Sequence, residues 1–398
     1  MRRGHVNRVH VDLPRAIGEL AEALRLPLHR QGWSEVLADE TLRVVLAERQ
    51  FPLAAGGAAY VEQTLTPFVL PKAAAPASAA PSRPVAAAPA AQLPGYSADR
   101  NAYFGDLHVH TYLSNDAYIF NVRASPEEAY AYAKGGTIKH AAGFDMKLNS
   151  GPLDFLAITD HSEYLGVLPA INTEGDPYSK VPYAKDLFST DGGKVTAAFR
   201  KFADTLDQGK RMSDFADLRT VKSAWHDTIE AAKRNYEPGK FTTLVGYEFT
   251  SAPDGRNLHR NVIFSSDNVP ELPYTALESQ NPEDLWNWME QQRAKGIEVL
   301  SIPHNANGSD GTMYERTKWN GQPADKAWAE LRARNEPLTE ITQVKGTSET
   351  HPLLSPNDEF AGFEIMEWYI GQAKKVTKFN GGYVRDALKT GMEIESKV

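Results

Sequence analysis

Gly105-Asp-Leu-His108-Val-His110-Thr111 closes a short apolar run, and about fifty residues later comes Leu156-Ala-Ile-Thr-Asp160-His161. The reading of the fold rests on these two stretches. Successive side chains of a strand point to opposite faces, so His108 and His110 share one face while Val109 takes the other. Two imidazoles on one face at a strand end can hold one metal ion. Leu153 to Thr159 is apolar enough for a buried strand, and it too runs into metal-ligand residue types, Asp160 and His161. Two strands that deliver such residues at their C-terminal ends predict a barrel-like α/β enzyme with its site on that rim.

Working outward, short apolar runs alternate with helical patterns from Tyr96 onward, which is α/β grammar. Strands are expected at Phe104–His110, Leu153–Thr159, Thr242–Phe249, Asn261–Ser265, Glu298–Pro303 and Gly362–Glu367. Ser125-Pro126-Glu127-Glu128 supplies an N-cap, a proline at the first helical position and a glutamate at the third. Asn281-Pro282-Glu283-Asp284 repeats the signal before Leu285–Lys295, and Gly296 stops that helix. Gly166 to Arg219 reads as a partly helical insertion that covers the site. Upstream, residues 1–70 are a partly helical extension with helices expected over Pro14–Arg25 and Ser34–Glu48, and 71–100 form an Ala/Pro-rich linker that cannot bury a core. The catalytic candidates all fall in 101–398.

Bulk properties narrow the function. The formal charge of −8, without a Lys/Arg run, argues against a nucleic-acid partner. The chain has no cysteine, which removes disulfides, thiolate metal sites and a Cys nucleophile. No stretch has the length and apolarity of a membrane span. The N-terminal MRRGHVNRVH lacks a following hydrophobic segment, so a cytoplasmic location is favoured; an internal true start would turn Phe51 to Ala80 into an export signal. No serine sits in a Gly-x-Ser-x-Gly elbow, and Gly135-Gly136 and Gly381-Gly382 are turn glycines rather than phosphate loops. Trp286, Trp288, Trp319 and Trp328 read as packing residues, His226 as structural, and His140 as a loop residue near the rim.

Carboxylates and imidazoles recur beside the strand candidates: His108, His110 and Asp116; Asp160 and His161; Glu248; His259; His304; Glu349 and His351. This set without Cys suits Zn²⁺, Mn²⁺ or Fe²⁺. Glu248 is the natural carboxylate to bridge neighbouring ions, and such ions clamp both oxygens of a displacement and activate water near neutrality.

In order along residues 101–391, YFGDLHVHTYLSNDAY, PLDFLAITDHSEYLG, GYEFTS, NLHRNVIFS, IPHNANGS, KGTSETHPLLSPNDEFAGFE and GGYVRDALKTG resemble the PHP (polymerase and histidinol phosphatase) superfamily, and more closely its uncharacterised DUF3604 branch. The resemblance implies a distorted (β/α)7 TIM-like barrel carrying two or three divalent ions, with phosphoester hydrolysis as the associated activity. Carried over residue by residue, His108 and His110 hold one metal, Asp116 another, and His161 matches the ligand of the second motif. Glu248 bridges, while His259 and His304 hold the second ion. Asp160 is a partner orienting a ligand and Arg260 clamps an anionic oxygen; by residue type alone, Asp160 or His351 is the candidate to relay a proton to the leaving group. Glu349 and His351 fit the branch pattern. One departure stands out: the superfamily closes its site with a late Asp-x-His, whereas the only such triplet here is Asp106-Leu-His108 of the first motif. A barrel short of its last element is therefore expected, with catalytic competence in question.

The expected partner is a small anionic substrate, a phosphate ester foremost. The alternatives are a metal- or ligand-binding module without catalysis and a metallohydrolase of another ester or an amide. Oligomeric state is left open by the sequence.

Overall fold

The computed structural model describes residues 103–395. The two N-terminal helices and the Ala/Pro linker expected from the sequence lie outside these residues. In chain order the strands are β1 (Gly105–Val109), β2 (Ile138–Lys139), β3 (Asp145–Met146), β4 (Phe155–Ile158), β5 (Thr242–Phe249), β6 (Arg260–Phe264), β7 (Val299–Pro303), β8 (Thr342–Gln343) and β9 (Gly346–Thr347). Five of them make one mixed sheet in the order β1-β4-β5-β6-β7, and β2-β3 and β8-β9 are separate small hairpins. β1, β4 and β5 pair parallel, while β6 pairs antiparallel to both β5 and β7. The five expected strands of the sheet are all present, with ends moved by a residue or two.

The sheet is strongly curled. In a flat sheet four strand spacings would put β1 about 19 Å from β7. Yet the ring of His108 on β1 and that of His304, one residue past β7, have centroids 4.1 Å apart. The Asn261 amide on β6 also donates to Leu107 O on β1 at 3.0 Å. Alternation then sorts the side chains into two cores. The concave face holds Ala157, Ile263 and Ile302 with Leu107, Leu244 and Leu300 against them. Gly246 keeps this interior narrow, since a Cβ there would meet Val262 O and Ile263 Cδ1 at 2.9 Å. The convex face carries Leu156, Ile158, Val245, Tyr247, Phe249, Val262, Phe264 and Val299, buried against Tyr130, Trp225, Leu285, Trp286 and Met289 from three helices.

Two of those helices begin where the sequence says they should. Pro126–Ala133 has the full capping box between Ser125 and Glu128, and Pro282–Arg293 is capped by the Asn281 side chain. Arg219–Asn235 presents Val221, Ala224, Trp225, Thr228, Ala231 and Ala232 on its buried stripe. Within the Gly166–Arg219 insertion, the helices Val167–Ile171, Ala184–Leu187 and Gly192–Gln208 form. Their apolar residues build a second core around Tyr164, Leu168, Phe202 and Phe215, together with Tyr118 from the short helix after β1.

One expected strand does not form. Gly362, Phe363 and Glu364 form turns, with Glu364 at φ 52°, and Ile365, Met366 and Glu367 join no strand. Phe360 and Phe363 stay 75% and 69% exposed, so the apolar run there finds no layer to bury against. A strand needs such a face as well as suitable residues.

Candidate metal centre

β1 carries a register shift between Asp106 and Val109. This bulge lets Leu107 join the concave core while His108 and His110 both reach Glu248, and Val109 packs on the convex side. Glu248 occupies the last inward position of β5, in line with Leu244 and Gly246. Its backbone is held by the segment that follows β4, with its N–H donating to Asp160 O at 2.9 Å and its carbonyl accepting from Ser162 N at 2.9 Å. Because β6 runs against its neighbours, Phe249 pairs with Arg260 and Arg260 with Pro303. His259, before β6, and His304, after β7, therefore arrive at the rim where β1, β4 and β5 end. An antiparallel strand supplies its ligand at its start.

Five imidazoles surround the Glu248 carboxylate, which is almost fully buried. On Oε1, His259 Nδ1 lies at 2.6 Å, His304 Nε2 at 3.1 Å and His161 Nδ1 at 3.5 Å. On Oε2, His110 Nε2 lies at 2.8 Å and His108 Nε2 at 3.4 Å. Asp116 meets His110 Nδ1 at 3.1 Å and His161 Nε2 at 3.4 Å. It sits in a short helix, Asn115–Ile119, and its Oδ1 also accepts from Ser114 Oγ and Ala117 N.

Two ligand triads result: His108, Glu248 and His304, and His110, His161 and Glu248, with the donor atoms of each within 4.8 Å of one another. Glu248 belongs to both. Nitrogen and carboxylate donors at this spacing match what a borderline divalent cation takes. A second observation fits: His304 Nδ1 is buried with no hydrogen-bond partner. These buried His/Glu groups could hold a metal ion.

The electrostatics divide the imidazoles. Burial pushes His259 down to about 4 and His304 to about 3, against the pull of Glu248, so both are neutral lone-pair donors at pH 7. Burial also works against a charged His108, but hydrogen bonds to Glu248 and Glu340 outweigh it and raise His108 to about 9. His110 rises well above the usual imidazole range in the same way, through Asp116 and Glu248. Burial would raise both carboxylates, yet the surrounding imidazoles hold Glu248 and Asp116 well below the usual range.

Seven residues expected as ligands thus come together: His108, His110, Asp116, His161, Glu248, His259 and His304. The other four do not join them. Both Asp160 oxygens accept from Thr111, from its N–H at 2.5 Å and its hydroxyl at 2.8 Å. Burial raises that carboxyl to about 6. Asp160 therefore secures the backbone just after His110. Arg260 is turned to the convex side, where its Nε lies 2.5 Å from Glu336 Oε1 and Trp286 Nε1 donates to the same oxygen at 2.9 Å. The geometry corrects the clamp assignment, because outward parity on β6 sends this side chain into the helix layer. His351 pairs with Glu367 at 2.9 Å and stacks on Phe379 at 4.0 Å, and Glu349 pairs with Arg385. Neither belongs to a ligand triad among the described residues.

The sequence reading missed three neighbours. Glu340 Oε2 lies 2.7 Å from His108 Nδ1 and fixes that ring with Nε2 toward Glu248. Thr250 Oγ1 lies 2.5 Å from His161 Nδ1. Glu163, fully buried, accepts from the N–H groups of Thr250 and Ala276 at 3.2 and 2.7 Å. Glu163 and Thr250 stand beside recognised motif residues, so their position was a usable signal. Glu340 lies in a polar segment without one.

Among the described residues no helix is long and apolar enough to cross a membrane. No curated protein and no solved structure matches the chain. A family does: residues 97–398 match the one described as Protein of unknown function (DUF3604), and the chain belongs to it.

Proposed function

We propose that the protein is a metal-dependent hydrolase of an anionic ester, a phosphate ester foremost, with its curled sheet forming part of a distorted (β/α)7 barrel of the PHP type. The observation that carries this reading is Glu248, one buried carboxylate shared by two histidine triads. When bound, two divalent ions such as Zn²⁺, Mn²⁺ or Fe²⁺ would supply Lewis-acid charge and water activation. Glu248 would hold both ions at a fixed separation. His259 and His304 offer neutral nitrogens. Glu340 sets the tautomer of His108, leaving Nε2 as the ligating atom, and Asp116 does the same for His110. The narrow apolar floor beneath them, Ala157, Ile263 and Ile302, keeps water away from the inner side of the cluster.

The test is metal analysis of the purified protein together with hydrolysis of an aryl phosphate in added Mn²⁺ or Zn²⁺. Stoichiometric metal with turnover is expected. Absence of metal uptake sinks the reading. Metal without turnover on phosphate, carboxylic ester or amide probes would leave a binding module in place of an enzyme.

A further inference from the structure

His161 offers two ring nitrogens to a cation, and a residue outside the ligand set chooses between them. Its Nδ1 lies 3.5 Å from Glu248 Oε1, and its Nε2 lies 3.4 Å from Asp116 Oδ2. Two donors about 2.1 Å from a tetrahedral ion stand about 3.4 Å apart, so both spacings suit a shared ion. Distance does not decide which nitrogen is the ligand. Hydrogen bonding does, because the partner of one imidazole nitrogen sets which of the two keeps a lone pair.

That partner is Thr250, buried and one residue past the end of β5. The alternation of β5, continued by one residue, turns it toward the face of Glu248. Its Oγ1 lies 2.5 Å from His161 Nδ1. Glu163, two residues beyond His161 and fully buried, grips Thr250 from the other side. Glu163 Oε1 accepts from the Thr250 N–H at 3.2 Å and the Ala276 N–H at 2.7 Å. The Thr250 side chain hydrogen-bonds to the same carboxyl. The segment carrying both residues is itself anchored, since the His161 N–H donates to Ser114 Oγ at 3.1 Å and Glu163 O accepts from Asn115 Nδ2 at 2.9 Å. A hydroxyl has one proton to give and lone pairs to accept with, whereas a carboxylate only accepts. The Thr250 proton therefore goes to Glu163, and an oxygen lone pair faces His161 Nδ1.

We propose that Thr250 is the positioning residue of His161, accepting the Nδ1 proton and so committing Nε2, on the Asp116 side of the ring, to the metal ion. The inference rests on the metal-centre reading above. Glu340 does the same for His108 with a carboxylate. At His161 the partner is a neutral hydroxyl, oriented in turn by the buried Glu163.

The experiment loads the full chain with Zn²⁺ and reads the His161 ring by NMR that correlates its ring protons with both nitrogens. Wild type, Thr250→Val and Thr250→Ser are compared, with Zn²⁺ affinity measured by chelator competition on the same samples. In the wild type, Nδ1 should carry the proton and Nε2 the metal-induced shift. Thr250→Val keeps the shape but removes the hydroxyl, and is expected to weaken Zn²⁺ about 10- to 100-fold and to speed exchange of the Nδ1 proton with water. Thr250→Ser should recover most of that affinity. Zn²⁺ on Nδ1 in the wild type overturns the proposal whether or not the variants fold. Affinity of Thr250→Val within twofold of wild type overturns it too, and leaves the metal centre standing. Failure of the wild type to take up Zn²⁺ overturns the metal-centre reading and this one with it.

Discussion

Metal uptake at this centre should be strongly pH-dependent, with the steepest change above neutrality. A ligating imidazole must give up its proton. In the metal-free protein His108 titrates at about 9 and His110 well above the ordinary range, so at pH 7 both carry protons that an incoming ion must displace. For His108 alone, the gap between about 9 and pH 7 weakens apparent affinity roughly 100-fold, or about 3 kcal/mol. His110 adds to this. His259 and His304, neutral from about 4 and 3 upward, add nothing. Raising the pH from 7 to 9 should therefore tighten binding about 100-fold or more, and calorimetry in two buffers of different ionisation enthalpy should report about two protons released at pH 7. Competition against a chromophoric chelator gives the affinities. Affinity that stays flat from pH 7 to 9, with buffer-independent heats, would refute the argument.

The same shifts set the stability of the metal-free fold. His108 is raised in the folded state, so its contribution, roughly 3 kcal/mol, is complete below the ordinary imidazole value of 6.5 and lost as pH climbs through about 9. His259 and His304 are depressed, so their contribution is complete above 6.5 and lost as pH falls toward 4 and 3. Metal-free thermal stability should peak near pH 6.5 and decline on both sides.

Three substitutions probe separate parts of the arrangement. Glu248→Gln should abolish binding of both ions rather than one, since the carboxylate belongs to both triads; metal analysis showing one ion retained would contradict a shared ligand. Glu340→Gln should lower metal affinity, read by chelator competition, about 10- to 100-fold by freeing the His108 ring. Arg260→Ala should cost about 1.5–3 kcal/mol of stability in denaturant melts by removing one of the two arginines paired with buried Glu336, Arg332 being the other, while metal stoichiometry stays that of wild type. A loss of metal without loss of stability would return Arg260 to the site.

The sequence by itself picked out the imidazoles and carboxylates that gather around Glu248, and most of the strands that present them. Period-two alternation around His108 and His110, and buried runs ending near Asp160-His161, Glu248 and His304, are local properties readable from residue order. Helix starts at Ser125 and Asn281 were equally local, because a cap is satisfied within one turn. The tertiary structure decided what depends on contacts distant in the chain. It curled the sheet until His108 met His304 and reversed β6 so that His259 precedes its strand. It sent Arg260 outward to Glu336 and brought Glu340 to His108 across 232 positions of sequence. It also left Gly362–Glu367 without a face to bury, so a strand-like pattern joined no strand. Alternation assigns a side chain to a face, but which other residues share that face is set by how the sheet bends and in which direction each strand runs.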